Sequence, residues 1–297
     1  MGALHTLMAA AGLALAGACL AAPPAGQAMD TALLQRHDLA YRFESFTLDS
    51  ADAQRHYQVW VGVPEQAPPK AGYPVLYMLD GNAAFDGLSP ELLNSLDHGQ
   101  APLLVALGYA GGQRIDRAAR TFDYTPARPS GAQQDPMTGE RSGGAEAFLA
   151  LLQQQVAPAV AAIAPADPQR QALWGHSYGG LFTLYVLLNH PQAFAVYAAA
   201  SPSLWWAPGL VNTQSQGLAE RLGGPRQLWL MKGEAEPARP RPNLPPPVEA
   251  ADSLAKQLAS VPGLAVRYQS FPGLNHGPML PASLRQTLQW LNTPGQW

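Results

Sequence analysis

Two stretches near the start of the body, Tyr41 to Leu48 (YRFESFTL) and His56 to Val63 (HYQVWVGV), mix aromatic and β-branched residues with polar ones, as strands at an antiparallel edge do. The next two, Pro74 to Asp80 (PVLYMLD) and Pro102 to Gly108 (PLLVALG), are nearly unbroken apolar runs, which predicts strands buried on both faces. Gln171 to Gly175, Ala195 to Ala200, Gln227 to Gly233 and Ala265 to Phe271 continue the series. Helical patterns lie between them. In AEAFLALLQQQVAPAVAAI the residues Phe148, Leu152 and Val156 fall four apart on one face, and Pro158 is expected to kink or end that helix. GGLFTLYVLLNH, VEAADSLAKQLASV and PASLRQTLQWLN are further helix candidates. Two antiparallel strands followed by six that alternate with helices or loops predict an α/β protein with an eight-stranded, mostly parallel sheet flanked by helices. Two stretches, Tyr109 to Gly144 and Pro237 to Pro247, carry no pattern and read as binding loops or lids, or as tolerated insertions.

Composition adds a soluble, well-filled domain to this picture. Of the 297 residues, 47% are hydrophobic and 13% charged, and the net charge of -3 comes with no basic run. Nucleic acid is therefore not an expected partner. The N-terminus stands apart. Leu7 to Ala22 is apolar and alanine-rich, too short for a membrane span, and reads as the core of a secretory signal cut after a small residue such as Ala22 or Ala28. Residues 1–28 are thus set apart as the signal and 29–297 as a single catalytic domain. The preceding MGALHT lacks the usual Lys or Arg. Cys19, in AGAC, weakly matches a lipoprotein cleavage box, with Ala16 where Leu is usual, so a lipid anchor through Cys19 is the alternative fate. If Cys19 leaves with the signal, the mature chain has no thiol, and disulfides and cysteine catalysis are excluded.

The candidate chemistry centres on Gly175-His176-Ser177-Tyr178-Gly179, placed between an apolar strand and a helix. This is the G-x-S-x-G nucleophile elbow of an α/β-hydrolase fold, in which a tight turn holds the serine proud of the sheet edge. A serine hydroxyl needs a base, and in this fold the order is Ser, acid, His. Downstream of Ser177 stand only His190, at the end of the elbow helix, and His276, in a loop after the last predicted strand. His276 is the expected base. The acid should follow QLWLMKG, where Glu234 and Glu236 are available, and Glu236, three after the glycine, is preferred. The oxyanion hole needs two backbone N–H groups, expected from Tyr178 and from Asn82 in LDGNAAF. No histidine pair has metal-ligand spacing, so neither a metal nor another cofactor is expected.

With those residues identified, GYPVLYMLDGNAAF, ARTFDYTP, GHSYGGLF, ASPSLWW and FPGLNHGPM together resemble the periplasmic siderophore esterases of the esterase-D-like branch of the α/β hydrolases. The resemblance runs from about Leu39 to Leu291. It implies a periplasmic serine esterase that opens the trilactone of enterobactin-type siderophores, with iron arriving on the substrate. It also implies that Arg120 sits near the acyl site and pairs with anionic catecholate, with Arg114, Arg117, Arg239 and Arg241 as further local cations. Trp205 and Trp206 would wall the site. Some members of the group work with a Ser–His pair alone, which leaves the role of Glu236 open. The alternatives are a carboxylesterase or acyltransferase on another acyl or aryl ester, and, from a different class, an inactive siderophore-binding protein.

Overall fold

The computed structural model describes residues 26–96, 100–128, 131–206, 208, 210–239 and 241–297. Most of the signal segment, Cys19 included, lies outside the described residues. Eight strands form one sheet: β1 (Tyr41–Asp49), β2 (His56–Pro64), β3 (Tyr73–Met78), β4 (Leu103–Tyr109), β5 (Ala166–His176), β6 (Val196–Ala200), β7 (Arg226–Gly233) and β8 (Leu264–Phe271). Their order across the sheet is β1-β2-β4-β3-β5-β6-β7-β8. β1 pairs antiparallel with β2, and β2 antiparallel with β4; every later pair is parallel.

The expected pattern accounts for this layout. β3 and β4 are buried at every position, as their unbroken apolar runs require, whereas β1, at the edge, alternates. Among the described residues, ten α-helices flank the sheet: α1 (Gly81–Phe85), α2 (Pro90–Ser95), α3 (Arg117–Tyr124), α4 (Ala145–Leu151), α5 (Ala157–Ile163), α6 (Tyr178–Asn189), α7 (Leu210–Gln214), α8 (Leu218–Arg221), α9 (Ala251–Leu258) and α10 (His276–Leu291). Val75, Tyr77 and Leu173 point into one core with Phe148 of α4 and Phe182 of α6. Leu76, Met78 and Trp174 point into the other with Phe85 of α1 and Leu284 and Leu288 of α10. The two-residue period of a strand makes this division, and each fully buried large side chain contributes about 1.5–3 kcal/mol.

Three elements depart from the pattern. β5 begins at Ala166, five residues before its apolar run, because a register shift lets Tyr73 pair with Ala166 and Val75 with Gln171. Pro158 neither ends nor breaks its helix. A wide π turn at Leu152–Val156 comes just before it, and the helical backbone runs on through Pro158 to Ile163. α10 begins at His276 rather than near Pro281, which lies inside it.

Candidate active site

The site gathers at the carboxyl ends of the parallel strands, where open α/β sheets place their ligands. β5 runs into α6 through Ser177, whose backbone is held at φ 62°, ψ -116°. A non-glycine residue at positive φ is strained by about 1–3 kcal/mol. Ser177 N–H donates to the Ala200 carbonyl at 2.9 Å, which fixes the turn against β6. The glycines follow from crowding: a Cβ on Gly175 would lie 2.4 Å from the Gly179 carbonyl carbon. The first-turn N–H groups of α6 have no intrahelical acceptor, and that of Tyr178 is among them.

His276 opens α10, so the structure places it at a helix N-terminus rather than in the loop expected from sequence. Its Nδ1 lies 2.7 Å from Glu236 Oε2. Glu236 also accepts from Lys232 Nζ at 2.8 Å on Oε2, and from Ser201 Oγ at 2.5 Å and Gly233 N–H at 2.9 Å on Oε1. Burial alone would raise this carboxyl. The bonds from His276, Lys232 and Ser201 outweigh burial and hold it well below the usual carboxylate range. Glu234 instead accepts from Ser270 Oγ, at 2.9 Å on an exposed edge. His190 caps α6 and meets Glu146 at 2.9 Å. Ser177 Oγ lies 3.4 Å from Ser203 Oγ, and Ser177 and His276 line the same cavity.

That cavity measures about 510 Å³. Trp205 forms part of its wall. Trp206 does not wall the site as expected: it is 1% exposed, and its Nε1 donates to Asp135 at 2.7 Å. Arg120 reaches the cavity, but its fork is taken. Nε and Nη2 donate to Asp80 Oδ1 and Oδ2 at 2.7 and 2.9 Å, and Nη2 also lies 3.4 Å from the His176 carbonyl. The forked pairing expected with catecholate is thus made within the protein. Arg114 is likewise bound to Asp86, at 2.7 Å, and is not part of the cavity wall. The cations that do line it besides Arg120 are Arg117, Lys232, Arg239 and Arg241.

Asn82 is buried behind the wall. Its side chain accepts from Tyr109 N–H at 2.9 Å and donates to the Tyr109 carbonyl at 3.2 Å, which pins α1 to the end of β4. Asp80, just before, adopts a left-handed conformation, φ 52° and ψ 48°, and turns the chain from β3 into α1. This leaves the Asn82 N–H among the first-turn groups that a helix does not pair.

Three residues of the site escaped sequence reasoning. Asp135, 2% exposed, accepts from Tyr178 OH at 2.5 Å as well as Trp206, and its other oxygen accepts from Met137 N–H, Thr138 N–H and Thr138 Oγ1. It ties the 109–144 segment to the elbow helix. That segment is not structureless: it contains α3 and a turn at Asp135 to Gly139. Arg241 from the second loop reaches the Met137 carbonyl at 3.5 Å, so the two long loops meet over the cavity. His176 is buried with its ring 4.6 Å from that of His276 and its Nε2 unpartnered. Burial, reinforced by His276, pushes its imidazole well below the ordinary histidine range. Lys232 is the third. Asp135 is defined by partners far along the chain, whereas Lys232 lies only four residues from Glu236 and His176 lies within the elbow motif, and no motif assigns either of these two a role.

Comparison with known proteins agrees with this architecture. The putative esterase family matches residues 50–273. An apo-salmochelin esterase of Escherichia coli O6:H1 (strain CFT073) is 38% identical over 251 residues, covering 84% of this chain and 78% of that protein. A ferri-bacillibactin esterase of Bacillus subtilis (strain 168) is 30% identical over 270 residues, covering 83% and 88%. Among solved structures, the enterobactin and salmochelin hydrolase IroE matches with a TM-score of 0.67 at 36% identity, over 85% of this chain and 96% of that one. A second structure of that hydrolase is a complex with DFP.

Proposed function

Because the chain belongs to the putative esterase family, we propose that it is a serine esterase that hydrolyses the lactone bonds of a catecholate siderophore. The observation that carries the reading is the strained elbow serine sharing a cavity with an imidazole whose far nitrogen is held by a buried carboxylate. Ser177 Oγ attacks the ester carbonyl carbon while His276 Nε2 takes its proton. Glu236 holds the imidazole in the tautomer with Nδ1 protonated and favours the imidazolium that forms. The N–H groups of Tyr178 and Asn82 receive the oxyanion. Collapse breaks the bond to the leaving alkoxide, which takes the proton from His276. Water then attacks the acyl-enzyme by the same route and frees Ser177. Arg117, Arg239 and Arg241 on the cavity wall suit the anionic oxygens of a catecholate, and Trp205 offers a ring face. Iron enters as part of the substrate. The N-terminal signal supports export, with the periplasm as the site of action.

The test is to incubate the protein with iron-free and ferric enterobactin-type trilactone beside p-nitrophenyl acetate, and to resolve the products by mass. The expected result is stepwise opening of the lactone, lost on the order of 10⁴-fold in Ser177→Ala. A fluorophosphonate probe should label wild type at Ser177. Brisk turnover of the aryl ester with the siderophore untouched would replace this reading with a general carboxylesterase. Binding of the siderophore with no turnover of any ester and no labelling would make the protein a binding protein.

A further inference from the structure

Among the described residues, Lys232 is the cation of the cavity wall that is bonded to Glu236. It projects from the end of β7, its side chain 26% exposed, and its Nζ lies 2.8 Å from Glu236 Oε2. The same oxygen receives His276 Nδ1 at 2.7 Å. One carboxylate oxygen is thus divided between a fixed positive charge and the imidazole expected to carry a proton during the reaction. Resting on the esterase reading above, we propose that Lys232 is a positioning residue of this reaction: by sharing Glu236 Oε2 it moderates the carboxylate's hold on a protonated His276 and sets how acidic a medium the enzyme tolerates.

The argument is electrostatic. A carboxylate beside an imidazole favours the imidazolium, the form that cannot accept the proton of Ser177. An ammonium on the same oxygen offsets part of that charge and repels the imidazolium as well. Both effects oppose the carboxylate's pull toward the imidazolium. The price is a weaker stabilisation of the imidazolium that forms in the transition state. The other charged or titratable groups around His276 do not replace this control. His176 of β5 stacks on the ring but is held neutral by burial. Arg120 of α3 is neutralised by Asp80. Arg239 donates to the Leu244 carbonyl and Arg241 to the Met137 carbonyl, Arg117 lies on α3, and among the described residues the partners of Glu236 are Ser201, Lys232, Gly233 and His276.

The experiment follows kcat/KM for p-nitrophenyl acetate against pH in wild type, Lys232→Met and Lys232→Arg. A neutral substrate removes any direct attraction between Lys232 and an anionic group. Lys232→Met keeps the length of the stem and removes the charge. The pH at which its activity rises should move up by about one unit, a tenfold loss on the acid side. Its plateau above that rise should be kept or slightly raised. Lys232→Arg should hold the rise near the wild-type position. Should the Met variant not fold, Lys232→Gln serves in its place. An equal fall at every pH with the rise unmoved would make Lys232 merely structural and overturn the inference, as would an Arg variant displaced as far as the Met one. Wild type without esterase activity or probe labelling at Ser177 would instead overturn the functional reading, and this inference with it.

Discussion

Glu236 carries four hydrogen bonds on two oxygens, and its contact with His276 is the one that matters for chemistry. Glu236→Gln keeps the shape but offers an amide where the imidazole N–H needs an acceptor of full charge. Its kcat on p-nitrophenyl acetate should fall by about 10²-fold or more, while Glu234→Gln, changed only at its bond to Ser270, should stay near wild type. A Glu236→Gln enzyme running at the wild-type rate would show that Ser177 and His276 work as a pair alone. Arg120 calls for a different measurement. Its fork closes on Asp80, which begins the turn carrying Asn82, and its Nη2 reaches the carbonyl of His176, next to the nucleophile. It therefore joins the two backbone segments expected to form the oxyanion hole. Arg120→Ala strands a buried carboxylate, which costs about 3–5 kcal/mol, and should lower kcat/KM for p-nitrophenyl acetate and for a siderophore trilactone by the same factor. A loss confined to the siderophore would return Arg120 to direct contact with substrate. The spacing of Ser177, Glu236 and His276 could be seen in sequence because each follows a recognisable strand or motif. The Asp80–Arg120 pair could not, since forty residues separate an acid and a base that sequence alone gives no reason to join.

At the scale of elements, the eight strands were legible because burial on both faces demands unbroken apolar runs, and edge exposure demands a mixture. The boundaries that sequence missed have a common cause in tertiary contact. The polar opening of β5 forms a strand only because Tyr73 lies beside it, and the first turn of α10 carries Gly and Pro, which local propensity disfavours in a helix. The 109–144 segment hid its order for the same reason. Its turn is organised by Asp135, whose partners Tyr178 and Trp206 lie 43 and 71 residues away. Asp135→Ala should leave those donors and the Met137 and Thr138 N–H groups without their acceptor, at a cost of about 3 kcal/mol or more. The loosened turn should also open the adjacent Arg141–Ser142 bond to trypsin. Urea denaturation and a timed trypsin digest check both effects. Unchanged stability together with an unchanged cleavage pattern would mean that Asp135 does not anchor the segment.

At the scale of the whole molecule, the buried site makes folding itself depend on pH. His176 lies between the sheet end and His276, and burial holds its folded-state pKa well below the ordinary value of 6.5. Unfolding releases it, so below about pH 6.5 the unfolded chain binds a proton that the native chain refuses. The sign follows: this contribution is complete above that pH and is lost as pH falls, by about 1.4 kcal/mol per pH unit for one proton. Glu236, depressed in the opposite chemical class, gives up its share only below the ordinary carboxylate range, while burial raises the Asp123 carboxyl to about 7 and gives it a slope of opposite sign between about pH 6 and pH 5, so the histidine's share is read as the difference between a His176 variant and wild type in that interval. His176→Gln cannot take up that proton. Whatever the substitution does to stability at neutral pH, the slope of unfolding free energy against pH in this interval should drop by about one proton relative to wild type. Urea titrations at both ends of the interval read the slope directly. Equal slopes in the two proteins would mean that His176 is protonated in the native state, with its unpartnered Nε2 reached by water, and that the site is more open than its buried ring indicates.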